Sequence, residues 1–230
     1  MQDSRIRVAI ADDQTLFCSG IQMLIESQSD LLFVGSAADG LAIVELAAEV
    51  RPQVILMDIR MPGADGLTAT QRILDRSLDD PPRVIVLTTF QRDVAILRAV
   101  AAGASGFIMK DATPEFLLAA IRTVHSGGSV IAPEENTAVI EGMAAHGTGA
   151  ADDASIGSLS PREKEVFLLA ARGLTNSEIA ATAYISETTV KSHVSSILGK
   201  LHMQSRLQIV VHAYEHRLLR SSPELKREEI

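Results

Sequence analysis

Val54-Ile55-Leu56-Met57-Asp58 is an unbroken apolar run closed by a carboxylate, and Ile59-Arg60-Met61-Pro62-Gly63 follows it at once. Strands that are apolar at every position are buried on both faces, as in parallel sheets, whereas half-exposed strands alternate. The same form recurs along the first half of the chain. Residues 6–11 run into Asp12-Asp13, residues 84–87 into Thr88, and residues 107–109 into Lys110, while residues 32–37 supply a fifth run. Helical patterns fall between them, near residues 16–27, 41–49, 67–76, 94–102 and 114–125. This alternation predicts an α/β fold, a doubly wound parallel sheet with helices on both faces. The first helix carries Leu16, Gly20, Met23, Leu24 and Ser27 at helical spacing, which reads as its apolar stripe. Thr113-Pro114-Glu115 reads as cap, first-turn proline and first-turn acid, and Gly103 as the end of the preceding helix.

In such a sheet the residues just past the strands meet at the carboxyl edge, where α/β folds build their sites. Asp12, Asp13, Asp58, Thr88 and Lys110 would then share one pocket. Clustered carboxylates repel one another, and a hard divalent cation relieves this; oxygen ligands that leave waters in place suit Mg²⁺. With the cation bound, a phosphoryl group can approach Asp58, whose carboxylate can act as nucleophile and become an aspartyl phosphate. Lys110 would hold one phosphoryl oxygen by charge and Thr88 another by a hydrogen bond. Taken singly, each residue has a plainer reading: Asp13 as a helix cap, Lys110 as a solvated cation, Thr88, like Thr89 beside it, as a β-branched strand residue. Four strand ends that supply complementary groups together favour the site.

These stretches carry a resemblance. Ile10-Ala11-Asp12-Asp13-Gln14, Ile55 through Gly63, Val86-Leu87-Thr88-Thr89-Phe90 and Gly103 through Asp111 make residues 5–127 similar to the receiver domain of two-component response regulators. The resemblance implies a flavodoxin-like sheet in which Asp58 is phosphorylated by a sensor histidine kinase. It also implies that Asp12 and Asp13 hold Mg²⁺, that the backbone carbonyl of Arg60 is a further ligand, and that Thr88 and Lys110 bind the phosphoryl group. Phe107 matches an aromatic that changes rotamer as the switch hydroxyl moves; a core phenylalanine is the alternative reading. Phosphotransfer enzymes of the haloacid-dehalogenase type share the aspartate nucleophile and the metal. They place a second Asp two residues on, where this chain has Arg60, and no insert large enough for a substrate cap is visible. Self-phosphorylation and slow hydrolysis are therefore expected, and not turnover of a separate substrate.

After Gly127-Gly128 the composition changes. Residues 128–158 read as a linker, a short helix over 133–145 followed by a Gly/Ala/Ser/Asp tether with little apolar bulk beyond Ile156. Residues 159–220 read as a small all-α module, and 221–230 as a polar tail. Ser160-Pro161-Arg162-Glu163 opens a helix that Gly173 ends, Thr175 opens a short second helix, and Ser186 caps a third from about residue 188. Residues 206–217 form a fourth, whose Ile209, Val210 and Tyr214 serve as core or as part of a dimer face.

Two helices joined by a tight turn have the form of a helix-turn-helix. Leu159 through Val166, Gly173 through Ala180 and Thr189 through Val194 resemble the LuxR-type DNA-binding domain, and with the receiver in front the chain is similar to NarL/FixJ-type response regulators. The resemblance implies groove contact by Thr189, Lys191, Ser192 and Ser195, with His193 and Lys200 at the backbone or packed near it. Ser195 stands where some relatives carry Lys, so no base preference carries over. The partners expected are double-stranded DNA, a histidine kinase, a second copy of the chain on the operator and RNA polymerase.

Charge fits this division. The chain carries a net −8, yet residues 158–230 sum to +2 and the rest to −10. A nearly balanced module needs paired copies for tight binding at cellular salt. Cys18 is the single cysteine, which excludes an internal disulfide, and the six histidines are scattered without zinc spacing. With no apolar signal segment and no run long enough to span a bilayer, a soluble cytoplasmic protein is expected.

Overall fold

The computed structural model describes residues 4–76, 81–89, 98–131, 153–216 and 218–219. Its first part is a six-stranded sheet in the order β2-β1-β3-β4-β5-β6, every pairing parallel. The strands are β1 (Ile6–Ala11), β2 (Leu31–Ala37), β3 (Val54–Asp58), β4 (Arg83–Thr88), β5 (Gly106–Met109) and β6 (Val130–Ile131). The expected doubly wound sheet is thus present. It gains β6, a two-residue strand at the edge that is too short to leave a period in the sequence. Helices α1 (Thr15–Glu26), α2 (Gly40–Val50), α3 (Gly66–Arg76) and α4 (Pro114–His125) connect the strands. Of the helix expected at 94–102, residues 98–102 lie within the described residues, helical over 98–101.

Alternation within each strand sends side chains to two cores. Ala9, Ala11, Ile55, Met57, Val84, Val86 and Phe107 face α2 and α3, and Val8, Ile10, Leu56, Ile85, Leu87 and Ile108 face α1 and α4. Both faces are covered, which is why the strands are apolar throughout. In α1 the buried face is Phe17, Ile21, Leu24 and Ile25. Leu16 is 87 % exposed and Met23 72 %, so the stripe of Leu16, Gly20, Met23 and Ser27 faces solvent, and only Leu24 of that reading turns inward.

The second part opens with a 3₁₀ turn at Asp153–Ile156, whose Ile156 is buried with Leu159 against the helices that follow. The composition reads this turn as tether, because one isoleucine among small residues does not announce a fold. The helix expected at 133–145 lies outside the described residues. Helices α5 (Pro161–Ala171), α6 (Asn176–Ala183), α7 (Glu187–Lys200) and α8 (Arg206–Glu215) form the all-α module. Reciprocal capping boxes start α5 (Ser160 with Glu163) and α6 (Thr175 with Glu178), and the Ser186 side chain caps α7 through the Thr189 N–H.

The two parts are docked. Helix α8 gives Ile209 and Ala213 to its own module, while Leu207, Val210 and Val211 enter the sheet core beside Val84, Val100, Ala104 and Phe107. Ser205 Oγ donates to the Ala104 carbonyl at 2.9 Å, and Gln208 Nε2 to that of Val100 at 2.9 Å. At Gly127, with φ 84°, a Cβ would stand 2.2 Å from Asn176 Nδ2, so the absent side chain admits the start of α6. Of the two alternatives for the last helix, the core reading holds for Ile209, while Val210 and Tyr214 pack on the sheet domain, a third arrangement that the sequence does not announce.

Candidate phosphoryl-acceptor site and nucleic-acid interface

The carboxyl edge of the sheet gathers the groups that the sequence singles out. Asp12 and Asp13 follow β1, Asp58 closes β3, Thr88 closes β4 and Lys110 follows β5. Asp12, Asp13 and Asp58 each offer an oxygen within 4.8 Å of the others, with Asp12 and Asp58 buried and Asp13 exposed. Lys110 Nζ lies 2.7 Å from Asp12 Oδ2 and 3.0 Å from Asp58 Oδ2. Its backbone N–H donates to the Thr88 carbonyl at 2.7 Å, which ties the ends of β4 and β5 together. The other Asp12 oxygen accepts the Gln14 N–H at 2.9 Å. Gln14, and not Asp13, occupies the cap position of α1, so the plainer reading of Asp13 does not hold.

The electrostatics follow from burial. Desolvation raises the Asp58 carboxyl above its ordinary value, although the hydrogen bond and charge of Lys110 and the backbone N–H of Arg60 oppose it; the Asp12 charge adds to the rise. For Lys110, burial alone would lower the value, but the bonds to Asp12 and Asp58 outweigh it and the ammonium is held charged. Three carboxylates against that ammonium leave an excess of negative charge among hard oxygen donors, and this set suits a divalent metal ion.

Two residues that the sequence reading passed over build the site. Phe17 lies under Lys110, with the ammonium 5.1 Å from its ring centroid, and steadies the side chain by a cation–π contact. Gly66 lets α3 begin against β3: a Cβ there would fall 1.9 Å from the Asp58 carbonyl oxygen. A glycine eight residues past Asp58 is the available signal for the second; an aromatic on a helix face carries none. Thr88 is buried, and Phe107 is fully buried in the sheet core that α8 shares.

In the helical module, α7 presents Thr188, Lys191, Ser192, Ser195 and Gly199 to solvent, at spacings that place them on one side of the helix. His193 and Thr189 are partly covered, and the Thr189 hydroxyl lies 2.8 Å from Ser186 Oγ. Lys200 is set apart from the row: its Nζ bonds Glu163 Oε2 at 2.7 Å and Oε1 at 2.9 Å, and Ser196 Oγ donates to the same carboxylate at 2.6 Å. These bonds, led by Lys200, hold the Glu163 carboxyl at about 2. Among the described residues no helix is long and apolar enough to cross a membrane.

Comparison with known proteins agrees with this two-part plan. Residues 8–122 match the family "Response regulator receiver domain", and residues 157–213 match "Bacterial regulatory proteins, luxR family". The uncharacterized transcriptional regulatory protein YxjL of Bacillus subtilis is 38 % identical over 215 residues, covering 93 % of this chain and 97 % of that protein. Response regulator protein VraR of Staphylococcus aureus is 37 % identical, covering 93 % and 99 %. Among solved structures, the response regulator ChrA of a heme-sensing two-component system is 32 % identical with a TM-score of 0.50, covering 94 % of this chain and all of that one. RcsB of Salmonella typhimurium is 26 % identical with a TM-score of 0.55, covering 90 % and 97 %. A chain with this sheet edge and this helical module, matched over both, belongs to the response regulators with a LuxR-type DNA-binding domain. It is a transcription regulator of a two-component system.

Proposed function

We infer that a sensor histidine kinase phosphorylates Asp58 in a Mg²⁺-dependent step, and that the modified chain dimerises on DNA to control transcription. The observation that carries this reading is the meeting of Asp12, Asp13 and Asp58, with the Lys110 ammonium against Asp12 and Asp58, at the edge of a sheet on which a DNA-binding module is docked. In the transfer, an Asp58 carboxylate oxygen attacks the phosphorus of a phosphohistidine, the P–N bond breaks, and the electron pair leaves with the imidazole. Asp12, Asp13, Asp58 and the Arg60 carbonyl would hold Mg²⁺, which supplies charge neutralisation at the phosphoryl oxygens. Lys110 moves from carboxylate to phosphoryl oxygen, and Thr88 donates to a second oxygen.

The consequence travels through the core. Phe107 lies in the same cluster as Leu207, Val210 and Val211 of α8, so a shift of Thr88 toward the phosphoryl group alters the packing beneath the docked helix. Release of α8 frees an apolar face for a second copy, and pairing doubles the phosphate contacts of a weakly basic module. Thr189, Lys191, Ser192, His193 and Ser195 would meet the groove, the lysine through phosphates and the serines through base edges. Such a regulator works in the cytoplasm, beside DNA and RNA polymerase.

Incubation with acetyl phosphate and Mg²⁺ should add one phosphate by intact mass, and Asp58→Asn should take up none. Duplex binding should tighten on phosphorylation of the wild type only. An Asp58→Asn protein that still gains the adduct refutes the acceptor; equal DNA affinity with and without phosphate would instead make the receiver a passive scaffold.

A further inference from the structure

Tyr184 is 94 % exposed and follows α6 in the left-handed region, with φ 55° and ψ 48°. A bulky aromatic rarely adopts this conformation, whereas glycine or asparagine does so freely. The cap itself is a backbone bond, from the Tyr184 N–H to the Ala180 carbonyl, which other residues would make equally well. The side chain thus adds strain to the fold and brings no packing. Among the described residues nothing accounts for a tyrosine here.

Its position does. Tyr184 forms the turn between the two helices of the helix-turn-helix, two residues before Ser186, whose side chain fixes the start of α7 through the Thr189 N–H at 3.1 Å. Around it in sequence, Thr182, Ser186, Glu187 and Thr188 are exposed and polar. The other large apolar side chains that stand exposed within the described residues, Leu16, Met23 and Leu41, all belong to the sheet domain. A protein-binding hot spot sits within an apolar patch that excludes water. A solitary aromatic bearing a hydroxyl, among polar residues, suits the sugar–phosphate backbone instead: the ring packs on a deoxyribose and the O–H donates to a phosphate oxygen.

We propose that Tyr184 is a DNA-backbone contact that sets the register of α7 in the groove without reading sequence. This rests on the DNA-binding reading above. Because the phenol carries no positive charge, its contact releases no counterion, which separates it from a lysine contact.

The test uses the full chain, phosphorylated with acetyl phosphate and Mg²⁺ and titrated into a labelled random-sequence duplex at several salt concentrations. Tyr184→Gly should bind about three- to tenfold more weakly, the loss of one good hydrogen bond and its ring contact. Its melting temperature should stay level or rise by about 2–4 °C as the strain is relieved. Its salt slope should equal that of the wild type, whereas Lys191→Ala should lower the slope by about one. Tyr184→Phe should retain part of the affinity through the ring. Binding by Tyr184→Gly within twofold of the wild type overturns the proposal, and so does a weaker affinity accompanied by a fall in melting temperature. Unchanged duplex affinity with reduced transcription in vitro also overturns it and assigns the ring to a protein partner. A wild type that binds no duplex defeats the DNA-binding reading itself, whatever Tyr184 does.

Discussion

Lys110 holds two buried carboxylates at once, and its removal exposes what the cluster costs. In Lys110→Ala, Asp12 and Asp58 keep their burial and lose their cation, so the metal-free protein should be less stable by about 2–4 kcal/mol, a discount on the loss of a fully buried pair because the site opens to solvent. Added Mg²⁺ should restore much of that loss, since a divalent ion takes over the neutralisation. Thermal melts with and without MgCl₂ measure both effects. If Lys110→Ala melts like the wild type in metal chelator, the ammonium is not what makes the carboxylates tolerable. Asp12, Asp13, Asp58, Thr88 and Lys110 could be read from the sequence because each directly follows an apolar run, and parallel strands bring such positions to one edge. Phe17 and Gly66 could not, since their roles depend on which side chain lies above the ring and how closely α3 approaches the Asp58 carbonyl.

Among the elements, α5 and α7 are joined by one carboxylate. Glu163 closes the capping box of α5 and accepts from Ser196 and Lys200 of α7, so its charge ties the start of one helix to the last turns of the other. Its folded value of about 2 lies below the unfolded 4.5, so this contribution to stability is complete above pH 4.5 and is lost as the pH falls through about 2. Glu163→Gln should therefore melt below the wild type at neutral pH, and the gap should close between pH 4.5 and 2. A gap that persists at pH 2 would mean that shape, and not charge, holds the two helices. Ser160, Thr175 and Ser186 could be read as caps because capping is local, settled within three residues. The face of α1 could not. Leu16, Gly20 and Met23 repeat at the same helical spacing as Phe17, Ile21 and Leu24, and a period cannot say which of two apolar rows meets the sheet.

For the whole molecule, the docked arrangement depends on α8. Leu207, Val210 and Val211 lie against the receiver, while a buried guanidinium, Arg206, sits at the start of the same helix. Desolvation lowers its value to about 10, and Asn176 Oδ1 accepts from it at 3.0 Å. This docking was invisible in the sequence, because a helix that is apolar on two sides reads the same whether its second side meets a neighbouring domain or another copy. Val211→Asp should place an unpaired carboxylate in the contact and open it. Small-angle scattering should then show a larger radius of gyration, and because Val211 also lies on the face offered to a second copy, duplex binding should stay weak with or without acetyl phosphate. A compact Val211→Asp protein that still requires phosphorylation would remove α8 from the switch.

A helix that belongs to two hydrophobic cores also governs how heat takes the protein apart. While α8 bridges them, neither core can melt without stripping the other of part of its packing, so calorimetry should record one endotherm whose van't Hoff enthalpy approaches the calorimetric value for the whole chain. Once the bridge is severed, by Val211→Asp or by phosphate on Asp58, the trace should divide into two independent transitions. The ratio of the two enthalpies then serves as a thermometer-read gauge of how much of the population has let go.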